Sequence, residues 1–179
     1  MNHESFDHVI RAAGAILGED TIIVIGSQAI LASVDRPPPA AHRSIEVDVL
    51  PVDGDEGKAD LVDGSIGEAS MFQESFGVYA QGVGPDAAVL PDGWRDRLIA
   101  YRTPATGGVT ALCLDPVDLV IAKLVANRAK DREFCAELVL RSIVAVDEVV
   151  ERLEELAVAD DERRTLADRA RGLVPPIER

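Results

Sequence analysis

The run Thr-Ile-Ile-Val-Ile at residues 21–25 constrains this chain more than any other segment. It is too short for a helix and too uniformly apolar or β-branched for a strand with one wet face. It therefore predicts a strand covered on both sides, and so a sheet with other layers packed around it. The run stops at Gly26-Ser27, and residues 28–33 resume a helix-compatible pattern. Upstream, Phe6, Val9, Ile10, Ala13 and Ile16 fall at helical spacing across residues 5–17, with Gly18 as a stop signal. Downstream, residues 44–50 alternate Ile45, Val47 and Val49 with Ser44, Glu46 and Asp48, which predicts a half-buried strand presenting two carboxylates on one face. Between the two strands, residues 35–43 carry Pro37, Pro38 and Pro39 in succession and are predicted to form an exposed irregular loop.

The remaining pattern places an acidic surface helix over residues 58–66, then short strands at 76–80, 87–90, 98–102 and 109–114, read as a meander that extends the sheet. Asp115-Pro116 is a helix start, with Asp as N-cap and Pro in the first turn. Residues 117–129 and 130–143 follow as two helices or one bent one, and residues 147–157 and 160–173 as two more. The expectation is an α/β protein, a mixed sheet flanked by helices. Residues 1–143 form the domain, and residues 144–179 are a helical extension of it.

Charge is unevenly spread. The chain carries −14, but residues 1–92 hold 16 acids against 4 bases, whereas residues 93–141 hold 8 bases against 6 acids. Acidity averaged over the chain argues against a polyanionic partner, and its distribution confines any such partner to the 93–141 stretch. No apolar run approaches the ~20 residues that span a bilayer, and the first residues lack the positive charge of a signal peptide, so no membrane role and a cytoplasmic location are expected. Cys113 and Cys135 both sit in apolar patterns and read as buried thiols. His3, His8 and His42 have no metal-binding spacing and read as surface residues. No Ser-His-Asp or Cys-His arrangement suits nucleophilic catalysis.

The chemistry lies in the order of the parts. Glu46 and Asp48, at i and i+2 of a strand, project roughly 6.5–7 Å apart and can converge on a hard cation. Gly26 admits a phosphate close to the backbone, and Ser27 with the amides that follow can donate to it. Lysine is rare here, and Lys123 and Lys130 are two of only three, against 15 arginines. A lysine at each place, where arginine is the default base, points to a need for a compact ammonium. If residues 123–131 form one helix, Lys123, Asn127, Lys130 and Asp131 share a face.

A strand ending in Gly-Ser, followed by a strand with paired carboxylates, resembles the nucleotidyltransferase superfold, built on a polymerase-β-like mixed sheet. Residues 114–134, with Asp118-Leu119, Lys123, Lys130-Asp131 and Phe134, resemble the AbiEii-type and MenT-like nucleotidyltransferase toxins and their relatives. The resemblance spans roughly residues 20–140. It implies that Gly26, Ser27, Lys123 and Lys130 bind the nucleotide, that Glu46 and Asp48 hold Mg²⁺ or Mn²⁺, and that Asp131 is a further essential acid. It implies transfer of a nucleotide from an NTP to the 3′ end of a tRNA, in a toxin neutralised by a cognate antitoxin. The tRNA would dock through residues 93–141, by way of Arg95, Arg97, Arg102, Arg128, Lys130, Arg132 and Arg141. The rival readings are a transferase acting on a small molecule of antibiotic type and a nucleotide-binding module without turnover.

Where the family's first carboxylate is usually Asp, this chain has Glu46, whose extra methylene moves the ligand by roughly 1.5 Å. Asp86 and Asp96 are the candidates for a third carboxylate. Ser44, two residues before Glu46, is a candidate regulatory phosphorylation site, since a phosphate there would add about −2 charge beside the metal acids.

Overall fold

The computed structural model describes residues 1–173. Its centre is a mixed five-stranded sheet of β1 (Thr21–Val24), β2 (Glu46–Leu50), β3 (Tyr79–Gly82), β4 (Ile99–Tyr101) and β5 (Thr110–Cys113), in the order β3-β2-β1-β5-β4. The strand β1 takes the middle position, antiparallel to β2 through Ile23↔Leu50 and parallel to β5 through Ile23↔Leu112. Its side chains alternate between two apolar layers. Ile22 and Val24 join the main core with Val47, Val49, Ala111 and Cys113, while Ile23 and Ile25 join a smaller cluster with Leu50 on the other face. Burial on both sides accounts for the uninterrupted apolar run.

Helices build the main core. The first, α1 (His3–Leu17), starts at Asn2, whose side chain accepts from the Ser5 amide, and stops at Gly18 in the left-handed conformation. It contributes Phe6, Val9 and Ile10, all fully buried. Next come α2 (Pro39–Arg43), α3 (Glu56–Ile66) and α4 (Met71–Phe76), and after the sheet is complete α5 (Pro116–Ala126), α6 (Ala129–Leu140), α7 (Val146–Arg152) and α8 (Asp160–Arg171). Buried Leu119, Val120 and Leu124 of α5 and Leu166 and Ala170 of α8 share that core. Residues 174–179 of the expected 144–179 extension lie outside the described residues. Among the described residues, no helix is long and apolar enough to cross a membrane.

Several expectations are corrected. The meander is replaced by a crossover: α3 and α4 carry the chain over so that β3 runs parallel to β2. Residues 71–76 are helical, ended by Gly77 at φ 70°, and the strand begins at Tyr79 rather than at 76. Residues 87–90 form no strand. Pro85–Ala87 is a 3₁₀ turn, and the chain then runs irregularly across the second face of the sheet, with Ala88 and Leu98 against Ile23 and Ile25. The proline segment is irregular only as far as Pro38, since Pro39 opens the short α2, where a missing N–H costs nothing. Asn127, left-handed at φ 51°, separates α5 from α6.

Cys113 and Cys135 are free and buried. His8 is not a simple surface residue, for its ring lies 4.2 Å from that of Phe76 and 5.1 Å from that of Phe72. Asp118, wholly buried, accepts from Arg97 Nε at 2.9 Å and Arg152 Nη1 at 2.9 Å, tying α5 to α7 and to the 3₁₀ turn Trp94–Arg97.

Candidate functional site

A cavity of about 700 Å³ opens where β1 and β2 meet the α5–α6 corner. That size is within the range of small-ligand sites. Gly26, Ser27, Ser44, Glu46, Asp48, Lys123, Lys130 and Asp131 all line it, so the structure gathers the expected nucleotide-binding and metal residues around one space.

The floor is made by the pleat of β2. Val47 and Val49 point into the main core, which turns Glu46 and Asp48 to the opposite side. Gly26, two residues past the end of β1, lies beside them at φ −84°, a conformation open to any residue, so glycine is needed there for space and not for backbone freedom. A Cβ at this position would lie 1.5 Å from Asp48 Oδ2 and 2.6 Å from its Cγ, because the carboxylate rests against the glycine Cα. Ser27 opens a 3₁₀ helix, Ser27–Ala32, where residues 28–33 carry the helix-compatible pattern.

The acids are electrostatically loaded. Burial raises the Glu46 carboxyl above its ordinary range, as does the Asp48 charge, against the opposing pull of Lys130. Burial likewise raises Asp48, offset in part by Lys123, Arg128 and Lys130. In register, Tyr79 stands beside Glu46 and Gln81 beside Asp48, so the neighbouring strand offers a phenol and an amide to the cavity and no third carboxylate. Asp86 does line the cavity, from the turn after β3, and Asp96 does not. Ser44 precedes β2 as the C-cap of α2 and is not on the strand itself, but its extended backbone still brings it to the cavity.

The opposite wall is cationic. Lys123 Nζ lies 3.3 Å from Asp131 Oδ1 and 4.9 Å from the centre of the Phe134 ring. Arg128 Nε donates to Asp131 Oδ2 at 2.6 Å, and the Arg128 amide donates to the same oxygen at 3.3 Å. Burial raises the Asp131 carboxyl, but the hydrogen bonds and charges of Arg128 and Lys123 outweigh it and hold the group below the usual carboxylate range. The shared helical face expected for Lys123, Asn127, Lys130 and Asp131 does not exist. The left-handed corner folds α6 back, which is what brings Asp131 to Lys123, while Asn127 turns to Arg132 and stays out of the cavity lining.

The expected arginine surface is also divided. Arg128 and Lys130 line the cavity, with Arg43 joining them from α2, whereas Arg95, Arg97, Arg102, Arg132 and Arg141 do not. Arg97 is committed to Asp118 and Glu155. Sequence reasoning missed Arg43, Tyr79, Gln81 and Glu133. A strand placed at 79–82 would have exposed the period-two pair Tyr79 and Gln81, but Arg43 and Glu133, which bridge α2 and α6 at 2.9 Å, carry no local signal.

The acids fit a hard cation. Two carboxylates, i and i+2 on one strand, share the face that lines the cavity. Among the described residues no group of three or more His, Cys, Asp or Glu converges as a complete metal site. Two carboxylates with the balance of ligands from phosphate and water is how Mg²⁺ is commonly held.

The model of a family described as nucleotidyltransferase of unknown function (DUF6036) matches residues 5–170 of the 179. No curated protein and no solved structure matches the chain.

Proposed function

This chain belongs to that nucleotidyltransferase family, and from that premise we propose that its cavity binds an NTP with Mg²⁺ and transfers the nucleotide to an acceptor hydroxyl. The observation that carries the reading is the Asp48 carboxylate seated against Gly26, across the cavity from Lys123 and Arg128. Glu46 and Asp48 would hold the cation, which when bound draws off charge developing on the α-phosphate. The Ser27 hydroxyl and the amides after Gly26 donate to phosphate oxygens, with no side chain at Gly26 to hold the ligand off. Lys123 and Arg128 neutralise the triphosphate from the opposite wall and favour departure of pyrophosphate as the acceptor oxygen attacks in line.

The acceptor we assign is an RNA 3′ end, approaching a rim that carries Arg43, Arg128 and Lys130. The rim is compact, so a chain end suits it better than a duplex, and binding should weaken steeply with salt. As a tRNA-modifying toxin, the protein would arrest growth when expressed without its antitoxin, and Asp48→Ala would relieve the arrest. The test is incubation with each α-labelled NTP, Mg²⁺ and total tRNA. Label on the RNA 3′ end with wild type and none with Asp48→Ala is the expected result. Label on small molecules alone would move the acceptor assignment to that class. One observation favours a second reading: β3 sets Tyr79 and Gln81 beside the two acids where a third carboxylate would be expected, which suits a module that binds nucleotide without turnover. Calorimetric heat from Mg²⁺ and NTP with no transfer to any acceptor would select it.

A further inference from the structure

Resting on that reading, we infer that Asp131 is a positioning residue that holds Lys123 and Arg128 over the metal acids, and is not itself an acid or base of the reaction. Its side chain is 1% exposed although it lines the cavity wall. Both oxygens are taken: Oδ1 accepts from Lys123 Nζ and Arg128 Nη2, each at 3.3 Å, and Oδ2 from Arg128 Nε at 2.6 Å and the Arg128 amide at 3.3 Å. A carboxylate with four donors has little capacity left for a cation or a substrate proton. The donors it holds are the cations whose charges reach Asp48.

The arrangement solves a physical problem. Two cations on flexible stems, placed together before a triphosphate arrives, repel one another and sample many rotamers. A buried carboxylate between them offsets the repulsion and fixes the ammonium above the Phe134 ring. The binding wall is then ordered in advance, so less of the ligand's interaction energy goes into arranging it. The amide bond from Arg128 ties the same carboxylate to the start of α6, so the corner of the fold and the charge array share one anchor.

The experiment compares wild type with D131N, using α,β-methylene analogues of the four NTPs, Mn²⁺ binding followed by electron paramagnetic resonance, and a crystal structure of the variant. D131N should lose at least tenfold in analogue affinity, keep Mn²⁺ affinity within twofold, and show Lys123 displaced from the Phe134 ring. General collapse of the site would instead weaken Mn²⁺ as much as nucleotide and overturn the inference. So would a variant that binds analogue like wild type but fails to transfer, since Asp131 would then act on protons. Should D131N not fold, the triple variant D131N/K123Q/R128Q removes the carboxylate together with both cations it holds and should bind analogue no worse than K123Q/R128Q. A further loss in the triple variant would contradict a role exerted through those two cations. If wild type binds no analogue, the nucleotide reading fails by itself, and the position of Lys123 in the variant crystal still decides the role of Asp131.

Discussion

Gly26→Ala tests the geometry of the metal acids without touching a charged group. The new Cβ would lie 1.5 Å from Asp48 Oδ2, and ordinary contact begins near 3.4 Å, so the carboxylate must retreat by about 2 Å. Mg²⁺ demands ligands at close to 2.0–2.1 Å. A retreat of that size would remove Asp48 from the coordination sphere proposed above. Loss of outer partners of a metal ligand already costs 10–100-fold, so loss of the ligand should cost no less, about 1.4–2.7 kcal/mol or more in cation binding. Stability should change little by comparison. Asp48 borders an open cavity and can rotate, so overpacking should fall near the low end of its range, about 1 kcal/mol, or a Tm lower by roughly 2–4 °C. Mn²⁺ titration followed by electron paramagnetic resonance, paired with calorimetric melting, separates the two effects. Wild-type Mn²⁺ and NTP affinity in Gly26→Ala would refute the claim that the carboxylate works from its seat on that glycine.

Other substitutions probe other links. Burial raises both Glu46 and Asp48, and the Asp48 charge raises Glu46 further, so their contribution to the stability of the metal-free protein is fully present below their unfolded pKa values and is lost as pH rises through the raised ones. Asp48→Asn without metal should therefore melt above wild type at pH 7–8, with the gap closing on acidification, and saturating Mn²⁺ should reverse the order. Asp118→Ala leaves Arg97 and Arg152 without their shared buried partner and should cost about 3 kcal/mol, or roughly 6–12 °C in Tm, while nucleotide affinity persists because Asp118 does not line the cavity. Ser44→Asp should weaken NTP binding and transfer by adding negative charge at the cavity edge, and unchanged transfer would dismiss Ser44 as a regulatory site.

What the sequence disclosed follows from how local each signal is. The central strand, the alternation that aims Glu46 and Asp48 away from the core, and the Asp115 N-cap rest on neighbours in the chain, and they stand in the structure as read. That Glu46, Asp48 and Lys123 would meet in one cavity was legible from the order of the motifs, the alternation of β2 and the rarity of lysine. The failures were non-local. The segment at 87–90 has strand-like composition but pairs with neither edge of the sheet, and its Ala88 covers the cluster of Ile23 and Ile25 instead. The meeting of Lys123 with Asp131 depends on a left-handed Asn127, which a helical reading treats as an ordinary interior residue. The bridge between Arg43 and Glu133 joins segments that only the finished fold brings together.

That bridge gives α6 two duties. Glu133 and Glu137 reach outward to Arg43 and to the Ala40 amide of α2, while Asp131 and Phe134 on the same helix face the cations inside. The proline segment and the cationic wall thus hang from a single rod whose near end is the Asn127 corner. A tilt of α6 about that corner would part Glu133 from Arg43 and carry Asp131 away from Lys123 in one motion, so the two contacts hold or fail together.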